Sequence, residues 1–157
     1  MKYIFVAPIK KEIIVAADLE TTFKVFTEKM DAWWPRTHHI GKTPVTTFVL
    51  ESGVGGRWYS LHEDDSECDI GKIMVWEPFT RLVLSWQVNG KFQYDPKLST
   101  EVELLFIPLE HKKTQVCLQH KNLELLGEGE HIKGMDTGWE MILNLFKILA
   151  EQDDQKV

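Results

Sequence analysis

The sequence predicts an α+β fold, in which a curved antiparallel sheet of about seven strands wraps around one long C-terminal helix. Two observations predict it. Between residues 45 and 120, six segments alternate apolar and polar residues and are joined by short turns, which indicates an antiparallel meander rather than parallel strands with crossover helices. After them, an apolar stripe with helical spacing over residues 131–151 offers the only large surface that could cover the sheet.

The first elements precede the meander. Tyr3–Ala16 is rich in Ile, Val and Phe and predicts an opening strand that Pro8 interrupts or bulges. Asp18 has the residue type of a helix N-cap, and the apolar residues that follow have the spacing of one helix. A second short helix begins at Asp31 and stops before Pro35, giving two short helices after the first strand.

Six strands are predicted from the alternation and from the turn residues between them. They are Val45–Glu51, Arg57–His62, Glu67–Trp76, Arg81–Val88, Thr100–Ile107 and Gln115–His120. The alternation places three apolar sets on one face of the sheet. These sets are Leu82, Leu84, Trp86 and Val88; Val102, Leu104 and Phe106; and Val116, Leu118 and His120.

The long helix is predicted to follow a break at Gly127–Gly129 and to run from about His131 to Glu151, with a polar, frayed tail over Gln152–Val157. Its apolar stripe contains Met135, Trp139, Ile142, Leu143, Phe146, Leu149 and Ala150. Gly134 and Gly138 would let the helix bend or approach the sheet, or leave space for a ligand. Because one helix covers a wide sheet incompletely, we expect a cavity between them.

Composition limits the function classes. The chain has 157 residues, which suits a single domain over residues 1–157, and 43% of them are hydrophobic. Its net charge of −6 and the lack of a basic stripe argue against a nucleic-acid partner. No apolar run approaches the roughly 18 residues of a membrane helix, and the N-terminus does not resemble a signal peptide, so a cytoplasmic protein with no membrane partner is expected.

Candidate chemical groups are few. Adjacent histidines such as His38 and His39 point in different directions and have no supporting ligands, so we expect no metal and place one of them at the cavity. The segment Gly53–Arg57 lacks the ending of a phosphate loop, so no nucleotide cofactor is expected. Cys68 and Cys117 read as reduced thiols. Three further histidines are expected at a strand end, a turn and a helix start, mostly in solvent: His62, His111 and His131. No residue is assigned as catalytic.

Two groups leave a catalytic alternative open. His120 shares an apolar strand face and could act as an acid or base at the cavity wall, although a hydrogen-bonded core histidine fits the same pattern. Glu101 and Glu103 alternate with apolar residues. They are expected on the exposed face, with one of them as an alternative cavity carboxylate.

Several short segments also carry a family resemblance over roughly residues 10–150. They are Ile13–Ala17, Trp33–Pro35, Gly55–Trp58, Gly71–Ile73, Trp76–Pro78, Arg81–Trp86, Thr100–Val102, His120–Leu123 and Gly138–Trp139. In their order and spacing the sequence resembles the START-like helix-grip superfamily, also called SRPBCC. Within it, the sequence is similar to the family named for the C-terminal domain of the activator of heat-shock protein 90 ATPase, and to its small single-domain bacterial members.

The resemblance implies a cavity that binds a small apolar, aromatic or lipid-like molecule. The expected ligand-binding residues are Trp34, His38, Trp58, Trp76, Trp86, His120, Met135 and Trp139. Trp86 and Trp139 also face inward by pattern, whereas Trp34, Trp58 and Trp76 follow from the resemblance. Two alternatives stay open: an enzyme of the same fold, cyclase-like or hydrolase-like, that uses His120 or a cavity carboxylate, and a chaperone-interaction protein. The expected state is a monomer or a homodimer.

Overall fold

A computed structural model describes residues 6–126 and 129–155, with the side chains of residues 129 and 130 left out. In chain order the strands are β1 (Ile9–Val15), β2 (Val45–Leu50), β3 (Arg57–His62), β4 (Glu67–Glu77), β5 (Arg81–Trp86), β6 (Thr100–Leu109) and β7 (Lys113–Lys121). The helices are α1 (Leu19–Glu28) and α2 (Met30–Trp33) after β1, a 3-10 helix (Leu123–Leu126) after β7, and α3 (Gly129–Gln155).

The seven strands form one antiparallel sheet in the order β1-β7-β6-β5-β4-β3-β2. The register aligns the predicted apolar faces: Leu84 pairs with Val102, and Val102 with His120 across the next ladder. The sheet curls around α3, which confirms the predicted α+β architecture. No helix among the described residues is long and apolar enough to cross a bilayer.

Local sequence explains the first helices. The Asp18 side chain accepts a hydrogen bond of 2.8 Å from the Thr21 backbone N–H and caps α1, as predicted. The indole N–H of Trp33 in α2 donates to the Val25 carbonyl at 2.8 Å, which folds α2 back onto α1. These contacts bring Trp33 and Trp34 under the concave face of the sheet, where both are buried.

The structure differs from the predicted bounds at both termini. β1 starts at Ile9, directly after Pro8, which cannot donate to a ladder; Tyr3–Phe5 of the predicted strand lie outside the described residues. The predicted frayed tail is helical as far as Gln155, because Asp153 pairs with Lys29 at the end of α1. Gly127 in the predicted break, and residues 156–157, also lie outside the described residues.

β4 contains irregularities that an alternating pattern does not reveal. The register shifts against β3 between Trp58 and Tyr59 and against β5 between Ile73 and Val75. Bulges of this kind bend a strand and increase its twist. They therefore contribute to the curl that separates one end of the sheet from α3.

Candidate functional site

A pocket of about 430 Å³ opens between the N-terminal half of α3 and the end of the sheet where β5 finishes. Its volume falls within the range of small-molecule sites, about 300–1,000 Å³. Three groups of residues form the wall: indole rings from three elements, the loop 37–40 after α2, and one side of α3. Ile70, Val88 and Phe92 complete it.

Trp34, Trp86 and Trp139 form the aromatic part of the wall. The ring centroids of Trp34 and Trp139 are 5.8 Å apart with the planes at 85°, and those of Trp86 and Trp139 are 5.9 Å apart at 59°. Edge-to-face packing of this kind is favourable and leaves ring faces available on one side. The indole N–H of Trp34 donates to the His38 carbonyl at 3.0 Å and ties the loop to the wall.

The α3 side of the wall is formed by His131, Gly134, Met135, Gly138 and Ile142, together with Trp139. A Cβ atom built at Gly134 or Gly138 would meet no atom within 4 Å. The glycines therefore do not serve a close approach of helix and sheet, which was one of the predicted roles. They leave open space beside the pocket instead.

His120 lies behind the indoles and forms hydrogen bonds through both ring nitrogens, and the donor in each bond can be assigned. Trp139 Nε1–H donates to His120 Nδ1 at 3.1 Å, and His120 Nε2 lies 2.8 Å from Thr100 Oγ1. Thr100 Oγ1 donates its only proton to the Trp86 carbonyl at 3.0 Å, so it must accept from His120 Nε2–H. The imidazole is thus held neutral, with its proton on Nε2.

The environment of His120 agrees with this tautomer. The residue is fully buried, and burial, with a smaller contribution from His131, lowers the pKa of His120 to about 3. Both ring nitrogens are occupied by protein groups. His120 therefore positions Trp139 and does not face the pocket as an acid or base.

A second buried imidazole, His62, holds the loop in place. Its Nδ1 donates to the Thr43 carbonyl at 2.7 Å, and its Nε2 accepts from Ser60 Oγ at 2.8 Å. A Cβ on Gly41 would lie only 2.2 Å from His62 Cε1, so glycine is required for the loop to approach the ring. His62 was predicted to be mostly solvated; it is 1% exposed because these two bonds satisfy it in the interior.

His38 and His39 both belong to the wall, whereas only one was expected there. His38 is exposed, with Nδ1 at 2.9 Å from Thr37 Oγ1. His39 is half-buried; its Nδ1 accepts the Gly41 N–H at 3.1 Å, and its ring centroid lies 5.1 Å from that of His62. Burial and the neighbouring His62 lower the pKa of His39 below its ordinary value.

The wall contains no Lys, Arg, Asp or Glu among the described residues. Glu103, one of the two carboxylates considered for the cavity, instead bonds Arg81 at 2.9 Å and Lys121 at 3.2 Å. Glu101 pairs with Ser85 and Lys121 in the ladders and is likewise absent from the wall. Both residues are half-buried rather than exposed, and neither lines this pocket.

Five of the eight predicted ligand-binding residues line the pocket: Trp34, His38, Trp86, Met135 and Trp139. Trp58 is fully buried behind the wall, with its ring 5.6 Å from those of both Trp34 and Trp86. His120 lies one layer behind Trp139. Trp76 is at the other end of the sheet, where its ring packs 5.3 Å from Phe23.

The wall residues that the sequence analysis did not assign to a site include Thr37, Ile40, Ile70, Phe92 and His131. Phe92 carries the clearest missed signal, since it is an aromatic residue in the turn after Asn89-Gly90 and is 64% exposed. Its ring packs against His131, with centroids 5.2 Å apart. His131 was expected in solvent, but this contact places it at the mouth of the pocket.

Other potentially reactive side chains do not form a cluster among the described residues. No three His, Cys, Asp or Glu side chains within residues 6–126 and 129–155 form a group that could hold a metal ion. Cys68 and Cys117 are free thiols, and burial raises the pKa of both. Neither thiol is therefore an activated nucleophile.

Comparison with known families agrees with this architecture. The family model described as activator of Hsp90 ATPase homolog 1-like protein matches residues 16–151. No curated protein matches the sequence.

Solved structures extend the likeness. The chain is 31% identical to the self-sacrificing resistance protein CalC of Micromonospora echinospora, covering 96% of this chain and 98% of CalC with a TM-score of 0.71. It is 32% identical to the anthrahydroquino-gamma-pyrone synthase Txn09, covering 92% and 88% of the two chains with a TM-score of 0.60. CalU16 of Micromonospora echinospora, at 20% identity over 89% and 71% with a TM-score of 0.56, shares the fold alone.

Proposed function

The chain belongs to the family of activator of Hsp90 ATPase homolog 1-like proteins, and from its pocket we propose that it binds a small apolar or amphipathic molecule between sheet and last helix. The ligand would lie against the Trp34, Trp86 and Trp139 rings. Met135 and His38 would contact it from the helix and the loop. Trp58 and His120 would support this wall from behind.

The observation that carries the proposal is the open space beside α3. A helix that served only to cover the sheet would fill this space with side chains, because protein interiors are normally close-packed. Here Gly134 and Gly138 face open space beside Trp139, and the indoles of Trp34 and Trp86 line the pocket from other parts of the chain. Apolar walls with a few polar groups are typical of small-molecule sites.

The named relatives support a ligand role without fixing the ligand. Txn09 is a synthase whose structure was solved in complex with SUM, and CalC is a self-sacrificing resistance protein. At 31–32% identity these two differ in what they do, so the shared fold does not choose between binding and catalysis. The neutral, fully bonded His120 favours binding for this chain, because it has no proton or lone pair left for a substrate.

The first experiment is native mass spectrometry of the purified protein, followed by fluorescence titration with N-phenyl-1-naphthylamine, a neutral apolar probe. We expect saturable binding of one probe, with a change in tryptophan emission because Trp34, Trp86 and Trp139 line the site. Gly138→Leu would place a leucine side chain in the open space and should abolish binding while the helix persists.

Asn144→Leu is the matched control, since it adds the same side chain to an exposed position of the same helix. It should leave probe binding unchanged. Probe binding that survives Gly138→Leu, or that Asn144→Leu removes equally, would show that the probe does not occupy this pocket.

A further inference from the structure

The polar groups of the pocket wall are hydrogen-bond donors or imidazoles, with no carboxylate among them. From this we propose that the ligand carries an acidic oxygen, as in a phenol, an enol or a carboxylic acid, and that this oxygen lies against His38 and His39. The inference rests on the proposed function, because it names the chemistry of the ligand in the same site. It assigns the apolar body to the indoles and the polar end to the loop.

His39 is a donor by elimination. Its Nδ1 accepts the Gly41 backbone N–H, so the proton of the neutral ring is on Nε2. Within the described part of the chain, Nδ1 is the only His39 ring nitrogen with a hydrogen bond. His62 faces the ring, and its own proton is committed to the Thr43 carbonyl. His39 therefore presents a neutral N–H at the wall.

His38 adds a second imidazole to the loop side of the wall. It is exposed at the mouth, and its Nδ1 contacts the Thr37 hydroxyl, while its carbonyl holds the Trp34 indole. Its Nε2 has no hydrogen-bond partner within the described residues. Arg36, two positions before it, is bonded to Asp31 at 2.6 Å, so this carboxylate does not compete with a ligand for the ring.

The rest of the wall leaves the polar end of the ligand to the loop. The Trp86 indole N–H has no acceptor among the described residues but is buried beneath the wall surface, and those of Trp34 and Trp139 are bonded to protein atoms. The third wall imidazole, His131, packs on Phe92 across the mouth. An anionic oxygen placed in this apolar site needs donors nearby and would meet no like charge.

The test compares two probes that differ by one acidic group. N-phenyl-1-naphthylamine is neutral, and 8-anilinonaphthalene-1-sulfonate is the same ring system with a sulfonate. We expect the sulfonate to bind about tenfold more tightly than the neutral probe, a typical gain for a charge-assisted hydrogen bond. His38→Asn should remove part of this preference, and His39→Phe should remove most of it.

His111→Asn is the control, because His111 is an exposed histidine in the turn between β6 and β7. It should leave the ratio of the two affinities as in the wild type. Circular dichroism of each variant separates a local effect from loss of the fold.

The outcomes are distinguishable. If the neutral probe binds but the sulfonate binds no more tightly, or the preference survives both His38→Asn and His39→Phe, the acidic-oxygen inference is overturned while the binding function stands. If neither probe binds the folded wild type, the proposed function is wrong, and so is the inference that rests on it.

Discussion

The two halves of α3 belong to one apolar stripe but do different work. In the C-terminal half, Leu143, Phe146 and Ala150 are buried to 1% exposure or less. The Phe146 ring packs 5.3 Å from both Phe26 and Trp33. The N-terminal half instead presents a half-buried Met135 and two glycines to the pocket. The same helical periodicity thus yields close packing at one end and open space at the other.

A substitution in the packed C-terminal half of α3 should have the largest effect on stability. Phe146→Ala removes a fully buried ring between α1, α2 and α3 and should cost about 3–5 kcal/mol of the free energy of unfolding. Urea denaturation measures this loss. Affinity for the neutral probe in the fraction that stays folded should change little.

Met141→Ala is its control, because Met141 lies in the same helix but is 40% exposed. Its cost should stay within about 0.5 kcal/mol. Equal losses for Phe146→Ala and Met141→Ala would contradict the assignment of this half to the core.

Trp139 lies between the two halves of α3 and donates a hydrogen bond to His120. Substitution of His120 should change how the free energy of unfolding depends on pH in the acidic range. His120 has a pKa of about 3 in the folded protein and about 6.5 in an unfolded chain. Between these values the unfolded state binds more protons, so this contribution to stability is complete above about pH 6.5 and is lost as the pH falls towards 3. Unfolding free energies measured from pH 7 to pH 4 should therefore fall less steeply in His120→Asn than in the wild type.

The exposed His111→Asn provides the comparison and should keep the slope of the wild type. A wild-type slope in His120→Asn would mean that His120 is not the group that titrates. Tryptophan emission of His120→Asn at pH 7 gives a second readout, because the variant loses the bond to Thr100 while its side-chain oxygen can still accept from Trp139.

Met135→Ala should have the opposite effects to Phe146→Ala, with a smaller loss of stability and a larger change in probe binding. Met135 is half-buried at the wall, so truncating it should cost less stability than Phe146→Ala, at most about 2 kcal/mol. It should change the affinity for the neutral probe or the preference among probes of different size. Paired urea and fluorescence titrations of both variants test this; an unchanged probe affinity would make the N-terminal half plain core.

The smallest effect, and the only gain, is expected at the glycines. Alanine at position 138 meets no atom within 4 Å and replaces a residue of poor helix propensity, so Gly138→Ala should raise stability by up to about 1 kcal/mol. The added methyl group should lower the affinity for the largest probes. Thermal unfolding of Gly138→Ala beside the wild type measures the gain; a loss would mean that the space is needed for packing.

The sequence predicted the sheet well because period-two alternation in β5, β6 and β7 is regular. Leu84, Val102 and Leu118 lie where the alternation places them. The site was harder. Trp76 and Trp86 both stand on inward faces, but Trp76 lies beside Phe23 and Trp86 at the pocket. Alternation predicts which face of a strand is buried. It does not predict the position along the strand at which the sheet separates from the helix.

The histidines show a second limit. Residue type and spacing argued against a metal site at His38 and His39, but could not show that Gly41 and His62 fold the loop so that both reach the wall. His62 was expected to be exposed to solvent because residues at strand ends are usually exposed. Its burial depends on the Thr43 carbonyl, a main-chain acceptor whose position no side-chain pattern encodes.

The open flank at Gly134 and Gly138 has a consequence for how the protein can be altered. Alanine at either position would strengthen the helix and at the same time reduce the space beside the pocket. Helix stability and ligand space are therefore opposed at these two positions. Side chains of increasing size there would exchange one for the other in graded steps.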